Sequence, residues 1–371
     1  MRLPEKIRWT LNKIVKQMWT AENVYGIGLF GSWSRGDAAA TSDVDLLILD
    51  AEDLNYEYTE RREIGGLLID FNYIPKKWLA GVMPTELDQK INELQIFYDR
   101  DWTFSNTKTW VTKFYHTLER ISIRTENHVV EADIFLSRAT SAFARKDYQS
   151  AHMYTRIALE EILKILLEIT NQPFSTSRFI QALKKAAEKL EKPQLFEQYM
   201  NTTELSNETQ KEAEEKLKLF KNIWDEAFLE TKKSLTEKPQ FHPQTRKKLE
   251  YYMNPLFLQG IIMRTKTILH QSTPAEATHY IQNTLIQILE NYAWLKTQNT
   301  KLDLTTLIRA LQNLQQPKIH QKTLQTLNLQ NNNQEHTEKI IQTIKHTIKQ
   351  IRNERKQLIQ THAARWCSGQ A

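Results

Sequence analysis

Glycine is distributed so unevenly along this 371-residue chain that it divides the chain into two regions of different kinds. Seven of the nine glycines lie in the first hundred residues: Gly26, Gly28, Gly31, Gly36, Gly65, Gly66 and Gly81. Glycine serves tight turns and close backbone approaches, and it is unfavourable inside helices. The distribution therefore predicts a turn-rich N-terminal region, up to about residue 105, and a helical remainder.

Apolar runs in the N-terminal region predict a small mixed sheet with flanking helices. Four runs have the length and the flanking turns of strands: residues 24–30, 44–49, 67–74 and 94–98. Beyond about residue 107 the periodicity is helical, and prolines stand at natural breaks: Pro173, Pro239, Pro243 and Pro274. The predicted fold class is α+β, with a small mixed-sheet domain followed by a large all-α helical-bundle region.

The length of the chain suits two or three domains, and we predict three. They are residues 1–105, a first helical bundle at 106–236 and a second at 237–371, with the proline-containing segment 235–244 as linker. The segment that starts at Ser150 resembles the one that starts at Glu276, which suggests a duplication. Unrelated amphipathic helices also share Leu and Ile at this spacing, so both explanations stay open.

Composition limits the cellular setting more than the function. The formal charge of +6 favours anionic partners such as nucleotide phosphates, and it permits nucleic acid without requiring it. The single cysteine, Cys367, cannot form an internal disulfide. No apolar run reaches 18 residues and the N-terminus has no signal-peptide pattern, so we predict a cytoplasmic chain without a membrane partner.

The chemically informative segment runs from Gly28 to Leu49 and includes two aspartates in a strand. Asp43 and Asp45 are two residues apart, so they project to one face of the strand. In the next predicted strand, alternation places Asp70 opposite Ile69 and Phe71. A buried acid needs a partner or a metal. The alternative is that Asp43 caps a turn, Asp45 is an exposed strand residue and Asp70 forms a salt bridge.

Three convergent carboxylates predict a magnesium site formed by Asp43, Asp45 and Asp70. Mg²⁺ prefers oxygen ligands and substrate phosphates, and two such ions can serve an attacking oxygen and a leaving group. The turn between the first two strands is suited to phosphate, because glycine permits close approach and a helix start offers backbone amides. Its candidate nucleotide-binding residues are Gly31, Ser32, Arg35 and Ser42.

The order of these elements resembles that of the nucleotidyltransferase superfamily, which includes DNA polymerase beta and the kanamycin-type enzymes. The shared pattern is Phe30-Gly31-Ser32, then Asp43-Val44-Asp45, then Asp70. The resemblance covers about 100 residues. It implies transfer of a nucleoside monophosphate to a hydroxyl with release of pyrophosphate. AMP is the first candidate for the transferred group, with ATP as its donor. It also implies that all three aspartates are catalytic and bind metal, with Mg²⁺ present as two ions.

The segment Arg145–Lys164 resembles, more loosely, the second helix of HEPN-type bundles, which accompany such catalytic domains. In kanamycin-type enzymes this region supplies a glutamate as general base. Glu160 and Glu161 are the candidates here, although Lys164 stands where that glutamate is expected. Solvent-facing acids on an amphipathic helix are the simpler explanation. HEPN ribonucleases use Arg and His at a short spacing, which two pairs match by a permissive criterion: Arg145 with His152 and Arg355 with His362.

The acceptor is left open by the sequence, as are the preferred nucleotide and the oligomeric state, with a dimer among the options. We consider a small-molecule acceptor, an antitoxin-like modifier of a protein or RNA, and a nucleotide-binding regulatory module without turnover. Trp33, in the phosphate turn, is a candidate for stacking on a base.

Overall fold

The computed structural model describes residues 3–81, 83–237, 242–297, 304–313 and 317–364. The predicted linker at 235–244 lies partly outside these residues, and Pro239 and Cys367 lie wholly outside them.

The N-terminal part of the chain alternates short strands and helices, as the glycine distribution predicts. In chain order the elements are α1 (Glu5–Met18), β1 (Val24–Phe30), α2 (Gly31–Arg35), β2 (Val44–Asp50), β3 (Tyr58–Ile64), β4 (Leu67–Pro75), α3 (Lys76–Ala80), α4 (Leu87–Asn92), β5 (Gln95–Asp99) and α5 (Thr103–Phe114).

The remaining described secondary-structure elements are helical. The elements are α6 (Leu118–Ala144), α7 (Tyr148–Ile169), α8 (Phe179–Lys189), α9 (Pro193–Thr202), α10 (Gln210–Glu237), α11 (Pro243–Tyr252), α12 (Pro255–Gln271), α13 (Pro274–Thr297), a 3₁₀ turn (Leu304–Thr306), α14 (Leu307–Asn313), α15 (Pro317–Thr326), α16 (Gln334–Leu358) and a π turn (Ile359–Ala363). Several helices begin at proline, which lacks the N–H that a helix start leaves unpaired. The predicted α+β class is confirmed.

The five strands form one mixed sheet in the order β3-β4-β2-β1-β5. The pair β2–β4 is parallel and the other neighbouring pairs are antiparallel. Four strands match the predicted apolar runs, but β3 was not predicted. Its sequence, YTERREI, carries four charged residues and shows no apolar alternation. Charged side chains are common on edge strands because they discourage pairing with other chains.

Both faces of the sheet are covered, because the strand residues alternate between two apolar cores. On one face, Leu46 and Phe71 pack with residues of α1 such as Leu11. On the other face, Leu47 and Ile74 pack with residues of α4 and α5, namely Leu87, Ile91, Phe104 and Val111, and with Tyr115, which follows α5. The aspartates of the candidate site lie at one end of this layered domain.

The chain forms two compact units, and each is discontinuous in sequence. Unit 1 comprises Met1–His116 and Lys238–Thr267, and unit 2 comprises Thr117–Glu237 and Ile268–Ala371. This division differs from the predicted domains 1–105, 106–236 and 237–371. The sheet domain extends through α5, since the Phe104 side chain is fully buried in its core.

Helix α11 and most of α12 belong with the sheet, although they follow the first helical segment in sequence. Lys247 on α11 pairs with Glu60 on β3 at 2.8 Å. The amide of Asn254 donates a hydrogen bond of 3.0 Å to the backbone carbonyl of Arg61. Polar contacts with an edge strand produce no periodic pattern in the sequence. Nothing in the pattern therefore separates α11 and α12 from the later helices, and residues 237–371 were predicted as one helical domain.

Unit 2 has a core of its own, built from both of its sequence segments. Leu159 and Leu163 of α7 are fully buried in a cluster that also contains Ile344 and Ile348 of α16. The two segments of the suggested repeat each form a long helix followed by a shorter one: α7 with α8, and α13 with α14. The duplication itself stays a prediction. Among the residues that the structure describes, no helix is long and apolar enough to span a membrane.

Gly26 on β1 has no room for a side chain. An added Cβ would lie 2.4 Å from Cδ2 of the fully buried Phe104. We expect Gly26→Ala to lower the free energy of unfolding by about 1–3 kcal/mol, the usual cost of overpacking a core. Urea denaturation checks this. The matched control is Gly81→Ala, whose Cβ would meet its nearest neighbour at 3.7 Å; equal losses in both variants would contradict the prediction.

Candidate functional site

The sheet brings the three predicted aspartates to one location. Asp45 on β2 and Asp70 on β4 are directly paired in register on parallel neighbouring strands. Asp43 immediately precedes β2. Ile69 and Phe71 face the core beneath the sheet while Asp70 points to the opposite side, so the predicted alternation holds.

A fourth charged residue, Arg61 on β3, lies among these carboxylates. Its Nε donates a 2.6 Å hydrogen bond to Oδ1 of Asp70, and its Nη2 donates one of 2.5 Å to Oδ2. The same Nη2 also donates to Oδ2 of Asp43 at 2.6 Å. Arg61 is the direct pairing partner of Asp70 across the β3–β4 ladder, so its side chain leaves the sheet on the same face. One guanidinium therefore bridges two of the three aspartates.

Two residues of the returning helices complete the cluster. Arg264 on α12 donates a 2.8 Å hydrogen bond to Oδ1 of Asp43 and a 2.9 Å hydrogen bond to the hydroxyl oxygen of Ser42. The hydroxyl of Tyr251 on α11 donates a 3.0 Å hydrogen bond to Oδ2 of Asp70. The carboxylates of Asp43 and Asp70 thus each receive hydrogen bonds from β3 and from the segment 243–267.

The charges of the cluster shift the aspartates in opposite directions. Burial alone would raise the pKa of Asp43, but the charges of Arg61 and Arg264 outweigh it and lower the pKa. The pKa of Asp45 is raised well above its usual value, first by burial and then by the negative charges of Asp43 and Asp70. Asp70 holds the pKa of the Arg61 guanidinium well above its usual value despite the opposing effect of burial.

The predicted phosphate turn is formed as expected, with Gly31 in the left-handed region at φ 74°. A Cβ on Gly31 would lie 2.6 Å from Oδ2 of Asp45, so only glycine fits beside this carboxylate. The backbone N–H of Gly31 donates to Oε2 of Glu93 at 3.1 Å. The same Glu93 oxygen pairs with Nη1 of Arg35 at 2.7 Å.

The other predicted residues of the turn also have partners within unit 1. The hydroxyl oxygen of Ser42 accepts from the Ala39 amide at 2.9 Å and from Arg264. The indole N–H of Trp33 donates to the backbone carbonyl of Ser42 at 3.2 Å. The Trp33 ring packs partly buried against the sheet core. These contacts connect the turn to the start of β2; base stacking by Trp33 stays a prediction.

The carboxylates have the chemistry of a magnesium site, but their arrangement does not fit a metal ion. Within the described ranges, no three Asp, Glu, His or Cys side chains form a group that could hold one. Arg61 lies between Asp43 and Asp70, and its side chain is only 4% exposed. The salt bridge at Asp70, one of the alternatives to a metal, is what this arrangement shows.

Residues 10–89 match the family model of the nucleotidyltransferase domain. The matched segment contains the Gly31 turn and all three aspartates. It also contains Arg61, whereas Glu93, Tyr251 and Arg264 lie beyond it. The part of the chain beyond residue 89 is not covered by the match.

A solved structure, that of a nucleotidyltransferase-like protein from Exiguobacterium sibiricum 255-15, aligns with 80% of this chain and 81% of its own. The TM-score is 0.33 and the sequence identity is 10%. The search of curated proteins gave no match. The resemblance of Arg145–Lys164 to HEPN-type bundles stays a prediction.

The two candidate bases, Glu160 and Glu161, lie on α7 in unit 2 and are held by other side chains. Glu160 accepts hydrogen bonds of 3.1 Å from both Tyr199 and Asn283, and it pairs with His279 at 3.1 Å. Burial opposes ionisation, yet His279 and the neighbouring donors outweigh it and lower the pKa of Glu160. Glu161 pairs with Lys164 at 2.5 Å. A carboxylate with a lowered pKa is a weak proton acceptor, so nothing in this geometry favours the general-base role.

The Arg–His pairs with ribonuclease-like spacing also have local partners. His152 is fully buried, with Nδ1 at 2.5 Å from Oδ1 of Asn332. Burial and then the charge of Arg156 lower its pKa to about 3. Arg355 donates to the backbone carbonyl of Ser122 at 2.9 Å. These contacts are typical of core polar residues, and the ribonuclease interpretation gains no support from them.

His152 should make unit 2 sensitive to acid. Its pKa is lowered in the folded state, so its contribution to stability is complete above the unfolded value of 6.5 and is lost as pH falls towards about 3. Each pKa unit corresponds to about 1.4 kcal/mol. We expect His152→Gln to be less stable at pH 7 but to lose less stability than wild type between pH 6.5 and 4. Chemical denaturation at each pH measures this; His270→Gln, at an exposed site, is the control. Parallel pH profiles for wild type and His152→Gln would contradict the prediction.

Sequence reasoning missed four residues of the site: Arg61, Glu93, Tyr251 and Arg264. Arg61 carried a usable signal, since it lies a few residues before the Asp70 strand, separated from it by the turn at Gly65-Gly66. A hairpin at this glycine pair would have placed it beside Asp70. Tyr251 is 181 residues from Asp70 in sequence and had no such signal.

Proposed function

We propose that this chain transfers a nucleoside monophosphate from a nucleoside triphosphate to a hydroxyl acceptor, releasing pyrophosphate. ATP is the first candidate donor. The observation that carries the proposal is the convergence of Asp43, Asp45 and Asp70 beside the Gly31 turn, in a segment that matches the nucleotidyltransferase domain model.

The residues of the chain suggest how the work would be divided. The Gly31 amide and the Arg35 guanidinium both bind Oε2 of the Glu93 carboxylate, so together they form a site for an anionic oxygen. Arg264 adds a second cationic group beside Ser42. Charge-assisted hydrogen bonds of this type are suited to phosphate oxygens. Asp45 lies beside Gly31 and in register with Asp70, which places its carboxylate between the phosphate turn and the other aspartates.

Magnesium, as two ions, belongs to the same proposal as the metal that oxygen ligands of this kind prefer. Arg61 pairs with both Asp43 and Asp70, so a metal ion shared by these two carboxylates would require Arg61 to leave.

A second candidate is a nucleotide-binding regulatory module without turnover. The specific observation in its favour is that Arg61 and Arg264 pair with Asp43 and Asp70 and bring two positive charges to the three carboxylates.

Transfer of label distinguishes the two candidates. The purified chain is incubated with Mg²⁺, each α-labelled nucleoside triphosphate in turn and a cell extract as source of acceptors. Label moved by wild type and not by Asp45→Asn supports transfer, and the size of the product assigns the acceptor to small molecules, protein or RNA. Nucleotide binding without transfer supports the regulatory module, and absence of binding contradicts both.

A further inference from the structure

The Arg61 side chain is held in a site built to receive it. The rings of Tyr251 and Phe257 each lie 5.6 Å from its guanidinium carbon. Gly260 on α12 leaves the space that the guanidinium uses, since a Cβ there would lie 2.4 Å from Nη1. Cation–aromatic contacts and a matched gap give the guanidinium one well-defined position.

The electrostatic balance of the cluster explains why this position is stable. Three carboxylates face two guanidinium groups, so Arg61 and Arg264 supply the positive charge that a buried acidic cluster needs. The hydrogen bonds of Arg61 are bidentate to Asp70, the strongest geometry for such a pair. A divalent cation between Asp43 and Asp70 would occupy the space of the guanidinium and would repel it.

In the neighbouring turn, a side chain of the protein also occupies groups that are predicted to bind a ligand, here with a negative charge. The Glu93 carboxylate takes the Gly31 amide and Arg35, the two groups predicted to bind phosphate. Gln89 donates to its other oxygen at 2.5 Å, and the Glu93 side chain is only 8% exposed. Side chains of the chain itself therefore hold both the cation-binding and the anion-binding groups of the candidate site.

We propose that Arg61 is an intramolecular plug that excludes divalent cations from Asp43 and Asp70, and that metal binding requires its release from these carboxylates. The plug is defined as Arg61 with its retaining residues Tyr251, Phe257 and Gly260. Tyr251 of α11 also donates a hydrogen bond to Asp70, so it contacts both the guanidinium and one of its carboxylate partners. The inference rests on the proposed function only in taking the carboxylates as the metal site; it adds that this site is closed by default.

The test measures Mn²⁺ binding without nucleotide, by the free-Mn²⁺ signal in electron paramagnetic resonance. We expect Arg61→Met to bind Mn²⁺ at least about tenfold more tightly than wild type, because apparent affinity is reduced by the fraction of molecules that is competent to bind. The control is Arg62→Met, on the same strand, since Arg62 points away and its side chain is 56% exposed. Equal Mn²⁺ affinity in wild type and Arg61→Met would overturn the proposal.

A second substitution locates the gained site. Adding Asp43→Asn to Arg61→Met should remove the gain in affinity, and a gain that persists without the Asp43 carboxylate would show that the metal binds elsewhere, which overturns the plug. If circular dichroism shows Arg61→Met to be unfolded, Arg61→Lys replaces it. Lysine keeps the charge but cannot make the bidentate contact, so tighter Mn²⁺ binding is again expected and unchanged binding overturns the proposal.

Failure of the plug and failure of the proposed function give different results. Tighter Mn²⁺ binding by Arg61→Met, without label transfer by any variant, supports the plug and contradicts nucleotidyl transfer. Label transfer by wild type, with no gain of Mn²⁺ affinity in Arg61→Met, supports transfer and overturns the plug.

Discussion

Asp45→Asn is expected to reduce label transfer at least about a hundredfold, the lower end of the cost of removing one preorganised group at a reacting centre. The substitution keeps the shape of the side chain and removes its charge. Asp45 lies beside Gly31 and is in register with Asp70, so its charge acts on both the turn and the other aspartates. The comparison of initial rates between wild type and variant measures this effect.

The same variant should be as stable as wild type or more stable. Burial and two neighbouring carboxylates raise the pKa of Asp45, so its ionised form is unfavourable in the folded protein. A folded-state pKa above the unfolded value of 3.8 means that stability is lost as pH rises through the folded value. The stability advantage of Asp45→Asn should therefore be absent below pH 3.8 and should grow as pH rises.

The control for Asp45→Asn is Asp53→Asn, at a side chain that is 95% exposed. It should change neither transfer nor stability appreciably. Full transfer by Asp45→Asn would favour the regulatory module, and a marked loss of stability would contradict the electrostatic account of the cluster.

Glu160→Gln is expected to lower the free energy of unfolding by about 3–5 kcal/mol, the cost of leaving buried charges without their partner. Glu160 connects α7 to α13 through His279 and Asn283, and to α9 through Tyr199. Lys164 lies 3.6 Å from the same carboxylate. Urea denaturation at pH 7 measures the loss, with Glu188→Gln at an exposed position of α8 as control.

The pH dependence of Glu160→Gln has a definite sign. The pKa of Glu160 is lowered from its usual 4.5, so its stabilisation is complete above that pH and is lost as pH falls through the folded value. The difference between wild type and variant should narrow below about pH 4.5. Transfer by the folded variant should stay within a few-fold of wild type; a much larger loss in soluble, folded protein would restore Glu160 as the general base.

The strands β1, β2, β4 and β5 were predictable because their apolar runs are local signals. Strand alternation alone predicted that the Asp70 side chain points away from Ile69 and Phe71. Strand β3 was not predictable by the same means, because an edge strand needs no apolar face. The missing strand removed Arg61 from the predicted site.

The sequence by itself determined the α+β class, the Gly31 turn and the meeting of Asp43, Asp45 and Asp70, because each depends on short-range periodicity or on backbone constraints at a single residue. Only the tertiary structure decided that Arg61 bridges Asp43 and Asp70 and that Tyr251 and Arg264 return to them. The contacts of Tyr251 and Arg264 join residues 181 and 221 positions apart in the chain. The Arg61 contacts are closer in sequence, but they too depend on which charges are buried together. An arginine is a cation wherever it stands in the chain, and only its burial beside Asp43 and Asp70 makes Arg61 the partner of these carboxylates.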